Sequence, residues 1–101
     1  MIYITQLVYV QLGQEAVFEE FESHAIPIIA NHRGELVLRI RPEGNSIIES
    51  SIEQPYEIHL VSFESEADFQ AFAQDEDRKQ FLHLKEQSIR SSLLIKGELI
   101  G

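Results

Sequence analysis

The opening segment IYITQLVYV, at positions 2–10, is apolar on both sides of a strand, and this restricts the folds open to the chain. Most of its residues are β-branched or aromatic, which favours a β-strand. Successive side chains of a strand point to opposite faces. Neither alternating set is polar, since one is Ile2, Ile4, Gln6, Val8 and Val10 and the other is Tyr3, Thr5, Leu7 and Tyr9. We therefore expect a central strand that is covered on both faces.

A helix is predicted next, over residues 14–32, where apolar side chains recur at three- and four-residue spacing. Its first half is acidic, which suits the positive end of the helix dipole. Pro27 removes a backbone donor, so we expect a kink there or a second short helical segment. Gly34 is expected to form a left-handed C-terminal cap.

The remaining chain contains three further predicted strands and a second helical region. Ser65 and Asp68 have the spacing of a helix cap, and a further helical turn is expected from 75–77. The predicted strands cover 35–42, 56–64 and 91–99, with an irregular extension of the first at 46–50. The order β-α-β-β-α-β is the ferredoxin-like arrangement, an α+β fold with an antiparallel sheet. Residues 1–101 suit a single domain.

Two helices can cover only one face of such a sheet, so the other face needs another partner. The economical partner is the same face of a second subunit, which predicts a homodimer formed through the sheets. We assign to the helices the aliphatic sets Ile2, Ile4, Val8, Leu36, Leu38, Ile40, Ile58, Leu60, Leu93 and Ile95. The partner would then meet Tyr3, Thr5, Leu7, Tyr9, Val37, Arg39, Arg41, Glu57, His59, Val61, Leu94, Lys96 and Glu98.

Composition excludes several classes of function. The chain has no cysteine, which rules out disulfides, thiolate nucleophiles and cysteine-ligated metals. Its net charge is −9 and it has no Lys/Arg cluster, so nucleic acid and anionic membranes are not expected partners. No apolar run approaches the roughly 18 residues of a membrane span, and the N-terminus does not read as a secretory signal. We expect a cytoplasmic protein.

His59 is the candidate catalytic residue. Histidine titrates near neutral pH and suits general acid–base catalysis, and Arg39 could hold an anionic or enolisable substrate, with Thr5 or Tyr3 donating hydrogen bonds. The alternative is that these groups satisfy one another in the dimer. Arg39 or Arg41 would then pair with Glu57, and His59 would accept a threonine or tyrosine hydroxyl.

His24 is the second candidate binding histidine. It shares a helical stripe with Val17, Phe21 and Ile28, so it is expected to point towards the sheet, either into a helix–sheet pocket or onto a backbone carbonyl. Three aromatic residues of the second helical region are expected in the core, namely Phe69, Phe72 and Phe81. Of the two further histidines, His32 is expected at a helix end and His83 in solvent. No histidine–carboxylate spacing predicts a metal site, and no flavin or nicotinamide motif is present, so no cofactor is expected.

Four stretches together resemble the small dimeric α+β barrel proteins, in particular an uncharacterised family of about this length. They are YITQLVYV, AIPIIANHRGEL, SFESEADFQAF and DEDRKQFLHLKEQSIRSSLLIKGEL, which cover nearly the whole chain. That family commonly has two glycines where this chain has Arg33 and Gly34. The superfamily includes cofactor-independent antibiotic-biosynthesis monooxygenases, muconolactone isomerases, haem-degrading proteins and ligand-binding regulatory domains, so the resemblance implies a fold and no single reaction.

Two functions therefore stay open. One is a cofactor-independent monooxygenase- or isomerase-like enzyme that acts on a small aromatic or unsaturated carbonyl compound. The other is a non-catalytic dimer that binds a small metabolite or serves as an accessory domain.

Overall fold

The sheet has the strand order β2-β3-β1-β4, with every neighbouring pair antiparallel. The computed structural model describes residues 1–101. Its elements are β1 (Ile2–Val10), α1 (Glu15–Ile29), β2 (Gly34–Ile40), β3 (Glu57–Phe63), α2 (Glu66–Ala73), α3 (Glu76–Lys79), α4 (Leu82–Ser88) and β4 (Ile89–Gly97). The predicted ferredoxin-like α+β fold is thus confirmed.

The segment between β2 and β3 differs from the prediction. Residues 46–50 do not extend a strand; instead a single turn of 3₁₀-helix covers Gly44–Ser46. Glu43 and Ser46 cap this turn reciprocally, each side chain bonding the other's backbone N–H. Residues 47–56 contain no helix or strand. The predicted cap of α2 is confirmed, since the Ser65 hydroxyl accepts a hydrogen bond from the Asp68 backbone N–H at 3.1 Å.

Strand register determines which side chains face the helices, because residues directly opposite one another in an antiparallel pair share a face. Ile4 and Val8 are buried under the helices as predicted, at 4 % and 1 % exposure. Gln6 lies opposite His59, and Val8 lies opposite Glu57. Glu57 and His59 therefore point towards α1 and not towards a partner subunit. The predicted faces of β3 were wrong, because its buried side holds paired polar groups and its aliphatic side is open.

An irregularity in β2 reverses the predicted faces of that strand from Leu38 onwards, while Leu36 faces the helices as predicted. The register shifts between Leu36 and Leu38, which leaves Val37 as an extra residue. Such a bulge moves the following side chains to the other face. Arg39 consequently lies opposite His59 on the helix side. In β4 the predicted faces are also reversed, since Leu94 lies opposite Gln6 on that side.

The second face of the sheet, here called the open face, has no covering layer in the chain. At its centre are two rows of cross-strand neighbours, here called rungs, and each rung contains one residue from every strand. They are Leu38–Leu60–Thr5–Ile95 and Ile40–Ile58–Leu7–Leu93. Neither rung contains a charged residue, and the members in edge strands β2 and β4 are 42–50 % exposed.

The core under the helices consists of two apolar clusters. One is formed by Ile4, Ile29 and Phe63, with Phe69 and Phe72 packed against it. The other is formed by Phe21, Ala25 and Leu84, with Phe81 among its neighbours. The three aromatic residues predicted for the core therefore belong to two separate clusters.

The junction between α1 and β2 corrects the prediction for Gly34. Helix α1 continues through Pro27 to Ile29, and a short 3₁₀-helix follows at Ala30–His32. Arg33, not Gly34, has the left-handed conformation, with φ 57°. Gly34 is instead required by space, because a Cβ there would lie 2.6 Å from the Phe63 ring and 2.7 Å from Ile29 Cγ2.

Gly34→Ala is therefore expected to destabilise the chain by about 1–3 kcal/mol, the usual cost of overpacking a core. Urea unfolding would measure the change. Gly44→Ala is the matched control, because nothing lies within 4 Å of its added Cβ. Equal stability of the two variants would show that Phe63 and Ile29 move aside without a loss of unfolding free energy.

Candidate functional site

A cavity of about 310 Å³ lies between the helices and the sheet, near the lower end of the roughly 300–1,000 Å³ usual for small-ligand sites. Thirteen of its nineteen lining residues are hydrophobic. The six others are Gln6, Glu22, His59, Arg78, Lys85 and Ser92. The cavity thus combines apolar walls with a small set of ionisable groups.

His59 lies at one wall of this cavity and is held by Glu57. Its Nε2 forms a 2.5 Å hydrogen bond with Glu57 Oε2, and its ring stacks near Phe18 with centroids 6.4 Å apart. An ionised carboxylate only accepts, so Nε2 carries the proton in this pair. Nδ1 forms no hydrogen bond within the chain and is not a sealed buried atom. In the neutral ring, Nδ1 is therefore an acceptor without a partner in the chain, on a residue that lines the cavity.

Glu57 is the centre of a cluster of charged side chains beneath α1. Arg39 Nε donates to Glu57 Oε2 at 2.7 Å, and Arg41 Nη2 donates to Oε1 at 2.6 Å. Glu19 lies on the outer side of the cluster and accepts a hydrogen bond from each of these arginines. Burial raises the pKa of Glu57, but the hydrogen bonds from His59, Arg39 and Arg41 outweigh burial and lower the pKa to about 2.

This cluster bears on both interpretations of the polar strand residues. The predicted pairing of Arg39 and Arg41 with Glu57 is confirmed, although it forms inside one chain and not across an interface. The predicted hydroxyl partner of His59 was wrong, because its partner is a carboxylate. His59 nevertheless also lines the cavity, so a structural pairing and an open binding surface coexist at this residue.

Glu22 is a second carboxyl group at the cavity. Its side chain lies on the buried stripe of α1 and is 7 % exposed, yet it forms no hydrogen bond with another side chain. Burial raises its pKa, against the opposing charges of His59 and Arg39. Glu22 is therefore a carboxyl group at a small cavity that has positive charges nearby but no direct ion pair.

Two cations from the short helices line the same cavity. Arg78 lies above the Phe72 ring at 5.1 Å and donates from Nη1 to the Ala73 carbonyl at 3.5 Å. Its Nε is buried without any partner. Lys85, on α4, forms no ion pair. Burial lowers the pKa of both groups, and the charge of Arg78 lowers that of Lys85 further.

The other predicted binding residues do not join this site. Tyr3 and Thr5 alternate with Ile4 and therefore point to the open face, away from His59. His24 stacks on Phe81, with centroids 3.8 Å apart and 4° between the ring planes, and does not line the cavity. Of the five predicted residues, the structure brings together His59 and Arg39, because both bind Glu57.

Sequence reasoning missed Glu22, Arg78 and Lys85. A signal existed for Glu22, which is four residues after Phe18 and three before Ala25, so it falls on the apolar stripe of α1. A carboxylate at such a position is a functional candidate. Arg78 and Lys85 had no such signal, because they come from two consecutive short helices whose packing is a tertiary property.

The remaining histidines do not form a metal site. His32 binds Asp75 through Nε2 at 2.7 Å, and His83 is exposed on α4 as predicted. No cluster of three or more histidine, aspartate and glutamate side chains could hold a metal ion. None of the helices is both long enough and apolar enough to span a bilayer.

A second cleft, of about 500 Å³, opens at the end of the sheet near Tyr9 and Tyr56. Its cations are already paired, since Arg90 binds Glu53 and Arg41 binds Glu57. Tyr9 also donates its hydroxyl to the Glu53 carbonyl at 2.8 Å. The helix–sheet cavity is therefore the better candidate site, because its ionisable groups have free bonding capacity.

Comparison with solved structures supports the same fold. A protein of unknown function from Rhodopseudomonas palustris matches with a TM-score of 0.84 and 15% identity, over 99% of this chain and 82% of that chain. A dimeric ferredoxin-like protein of unknown function from Jannaschia sp. CCS1 matches with a TM-score of 0.71 and 16% identity, over 97% and 98%.

A third similar structure is a NIPSNAP family protein with unknown function from Agrobacterium tumefaciens. It matches with a TM-score of 0.70 and 21% identity, over 96% of this chain and 86% of that chain. No family model matches the chain. A search of curated proteins also finds no match. At these sequence identities the similarity establishes the fold, and any reaction must be inferred from the site itself.

The Glu57 cluster predicts a specific loss of stability in acid. The pKa of Glu57 is lower in the folded chain, at about 2, than its ordinary 4.5, so its contribution is complete above pH 4.5 and is lost as the pH falls towards 2. We expect a loss on the order of 2 kcal/mol, after allowing for the partial exposure of the arginines. Urea unfolding of the wild type and Glu57→Gln between pH 7 and pH 3 would measure it.

Glu57→Gln should be less stable than the wild type at pH 7, with a difference that shrinks as the pH falls. Glu19→Gln is the matched control, because Glu19 contacts the same arginines from the exposed side. A constant difference between wild type and Glu57→Gln across this range would contradict the assigned role.

Proposed function

We propose that the chain forms a homodimer through its open face and that each subunit is an acid–base catalyst acting on a small aromatic or unsaturated carbonyl compound in the helix–sheet cavity. The observation that carries the chemistry is the free Nδ1 of His59, held at the cavity by the buried Glu57 carboxylate. The dimer and the chemistry rest on different parts of the molecule and are argued separately.

The two charge-free rungs of the open face support the dimer. A large apolar sheet face in contact with water is unfavourable and marks an interaction surface. Because these rungs contain no charge, two copies of the face can meet without like-charge repulsion, although the chain carries a net charge of −9. The Jannaschia protein, which shares the fold, is described as dimeric.

Sedimentation at micromolar concentration should give roughly twice the 11.6 kDa chain mass. Leu93→Glu should produce a monomer, because it places a charge within the apolar rungs. Leu12→Glu is the control, since Leu12 is 99 % exposed in a turn outside the open face. A monomeric wild type, or a Leu93→Glu dimer as tight as the wild type, would contradict the dimer.

The Glu57–His59 pair supports general base catalysis. A carboxylate that accepts the Nε2 proton orients the ring and favours the tautomer with a basic Nδ1. From the cavity wall, Nδ1 can remove a proton from a carbon next to a carbonyl and form an enolate. Returning the proton at another carbon completes an isomerisation. The monooxygenase-like alternative instead lets the enolate of a CH₂ group reduce dioxygen. That carbon loses both hydrogens and becomes a carbonyl with one oxygen atom, and the two hydrogens leave with the other oxygen atom as water.

Proton NMR in D₂O would test this chemistry on a panel of small unsaturated lactones and aryl ketones that carry a C–H group next to the carbonyl. We expect the wild type to exchange the proton next to the carbonyl, and His59→Asn to lose about 10²–10⁴-fold in exchange rate. His83→Asn is the matched control, because His83 is exposed outside the cavity. An oxygen electrode separates the two reactions, since only the monooxygenase consumes dioxygen.

Binding of panel compounds without exchange or oxygen uptake would overturn the catalytic proposal and favour the non-catalytic metabolite-binding dimer. Equal exchange rates in the wild type and His59→Asn would also contradict the role of His59. Unfolding curves for both histidine variants establish that each is folded under the assay conditions.

A further inference from the structure

We infer that the cavity is built for a carboxylic acid with a body of about one ring, whose carboxylate is bound between Arg78 and Lys85. This deepens the proposed function by naming the substrate class of the same site. It rests on the cavity that the proposed function uses, but its support comes from residues other than His59.

Neither cation forms an ion pair in the folded chain. No carboxylate oxygen lies within 4.0 Å of the charged nitrogens of Arg78 or Lys85, whereas each of the other arginines forms an ion pair. Arg78 Nε is the only buried polar side-chain atom of the chain without a hydrogen bond. A buried hydrogen-bond donor without an acceptor lowers the stability of the fold until a ligand or solvent supplies an acceptor.

The two cations also line one cavity, although they lie on different helices, α3 and α4. The charge of Arg78 lowers the pKa of Lys85, while the charge of Glu22 opposes this effect. Like charges at a partly buried site repel each other unless an anion lies between them. A carboxylate satisfies both, since it can accept a hydrogen bond from the guanidinium and another from the ammonium group.

The rest of the cavity is small and has an aromatic wall. Phe63, Phe69 and Phe72 form one wall, with ring centroids 5.5–5.6 Å apart in the two pairs that include Phe63. At about 310 Å³ the cavity suits a small apolar body and not an extended chain or a nucleotide. An acid with one aromatic or aliphatic ring matches both the cations and these walls.

Glu22 provides an internal check, because it is the one carboxyl group that shares the cavity with these cations. It forms no ion pair with Arg78 or Lys85, so it leaves their donors free. When ionised, it would repel a bound carboxylate. Removing its charge should therefore strengthen the binding of an acid and leave the binding of a neutral compound unchanged.

Calorimetric titration of the wild-type protein with benzoate, phenylacetate and cyclohexanecarboxylate would test the inference, with the corresponding primary amides as neutral probes of equal size. We expect the acids to bind at least tenfold more tightly than the amides. Arg78→Met and Lys85→Met should each weaken acid binding at least tenfold. Glu22→Gln should tighten acid binding several-fold.

Lys79→Met is the matched control, because Lys79 lies next to Arg78 but pairs with the exposed Glu76 outside the cavity. Arg78→Lys keeps the charge and provides a variant if the loss of packing on Phe72 unfolds Arg78→Met. Amides that bind as tightly as acids, acids that do not bind, or acid affinity unchanged in Lys85→Met would each overturn the inference.

The outcome is separable from that of the proposed function. Calorimetry reports the carboxylate contacts of Arg78 and Lys85, whereas proton exchange reports the base. Acid binding without proton exchange would support this inference and contradict the catalytic role of His59. Proton exchange on neutral compounds, without acid binding, would support the catalytic role of His59 and contradict this inference.

Discussion

The buried carboxylate of Glu57 is the interaction on which the arrangement of the sheet depends. A carboxylate at 2 % exposure is costly unless its oxygens are fully hydrogen-bonded, and here His59, Arg39 and Arg41 provide the donors. Glu57, His59 and Arg39 must then lie on the helix side of β2 and β3. In β2 that placement needs the extra residue Val37, which turns Arg39 inward. Four aliphatic side chains of the same strands are left on the open face, namely Leu38, Ile40, Ile58 and Leu60.

The charged cluster therefore also determines the character of the surface on the opposite side. If β2 and β3 placed their aliphatic residues under α1, the open face would carry the arginines, Glu57 and His59. A mixed face of that kind needs specific partners for each charge. With the charges inside, the open face is apolar, and a second identical face is sufficient to cover it.

The cavity holds two kinds of ionisable group. His59 and Glu22 are the groups proposed to exchange a proton, while Arg78 and Lys85 lie on the two short helices and provide positive charge without an ion pair. The proposed proton transfer and the proposed recognition of an anion thus depend on separate elements of the fold. Substitutions in α3 and α4 can therefore change ligand preference without disturbing the Glu57 cluster.

Local patterns were enough to establish the order of helices and strands, the Ser65 cap and the need to cover a second sheet face, because these depend on spacing along the chain. They were not enough to assign the faces of β2, β3 and β4. Aliphatic alternation identifies a face but does not say which layer meets it, and a one-residue bulge reverses it. The burial of Glu57 and His59 follows from packing between distant segments, which only the folded chain defines. The same is true of the placement of Arg78 and Lys85 at one cavity.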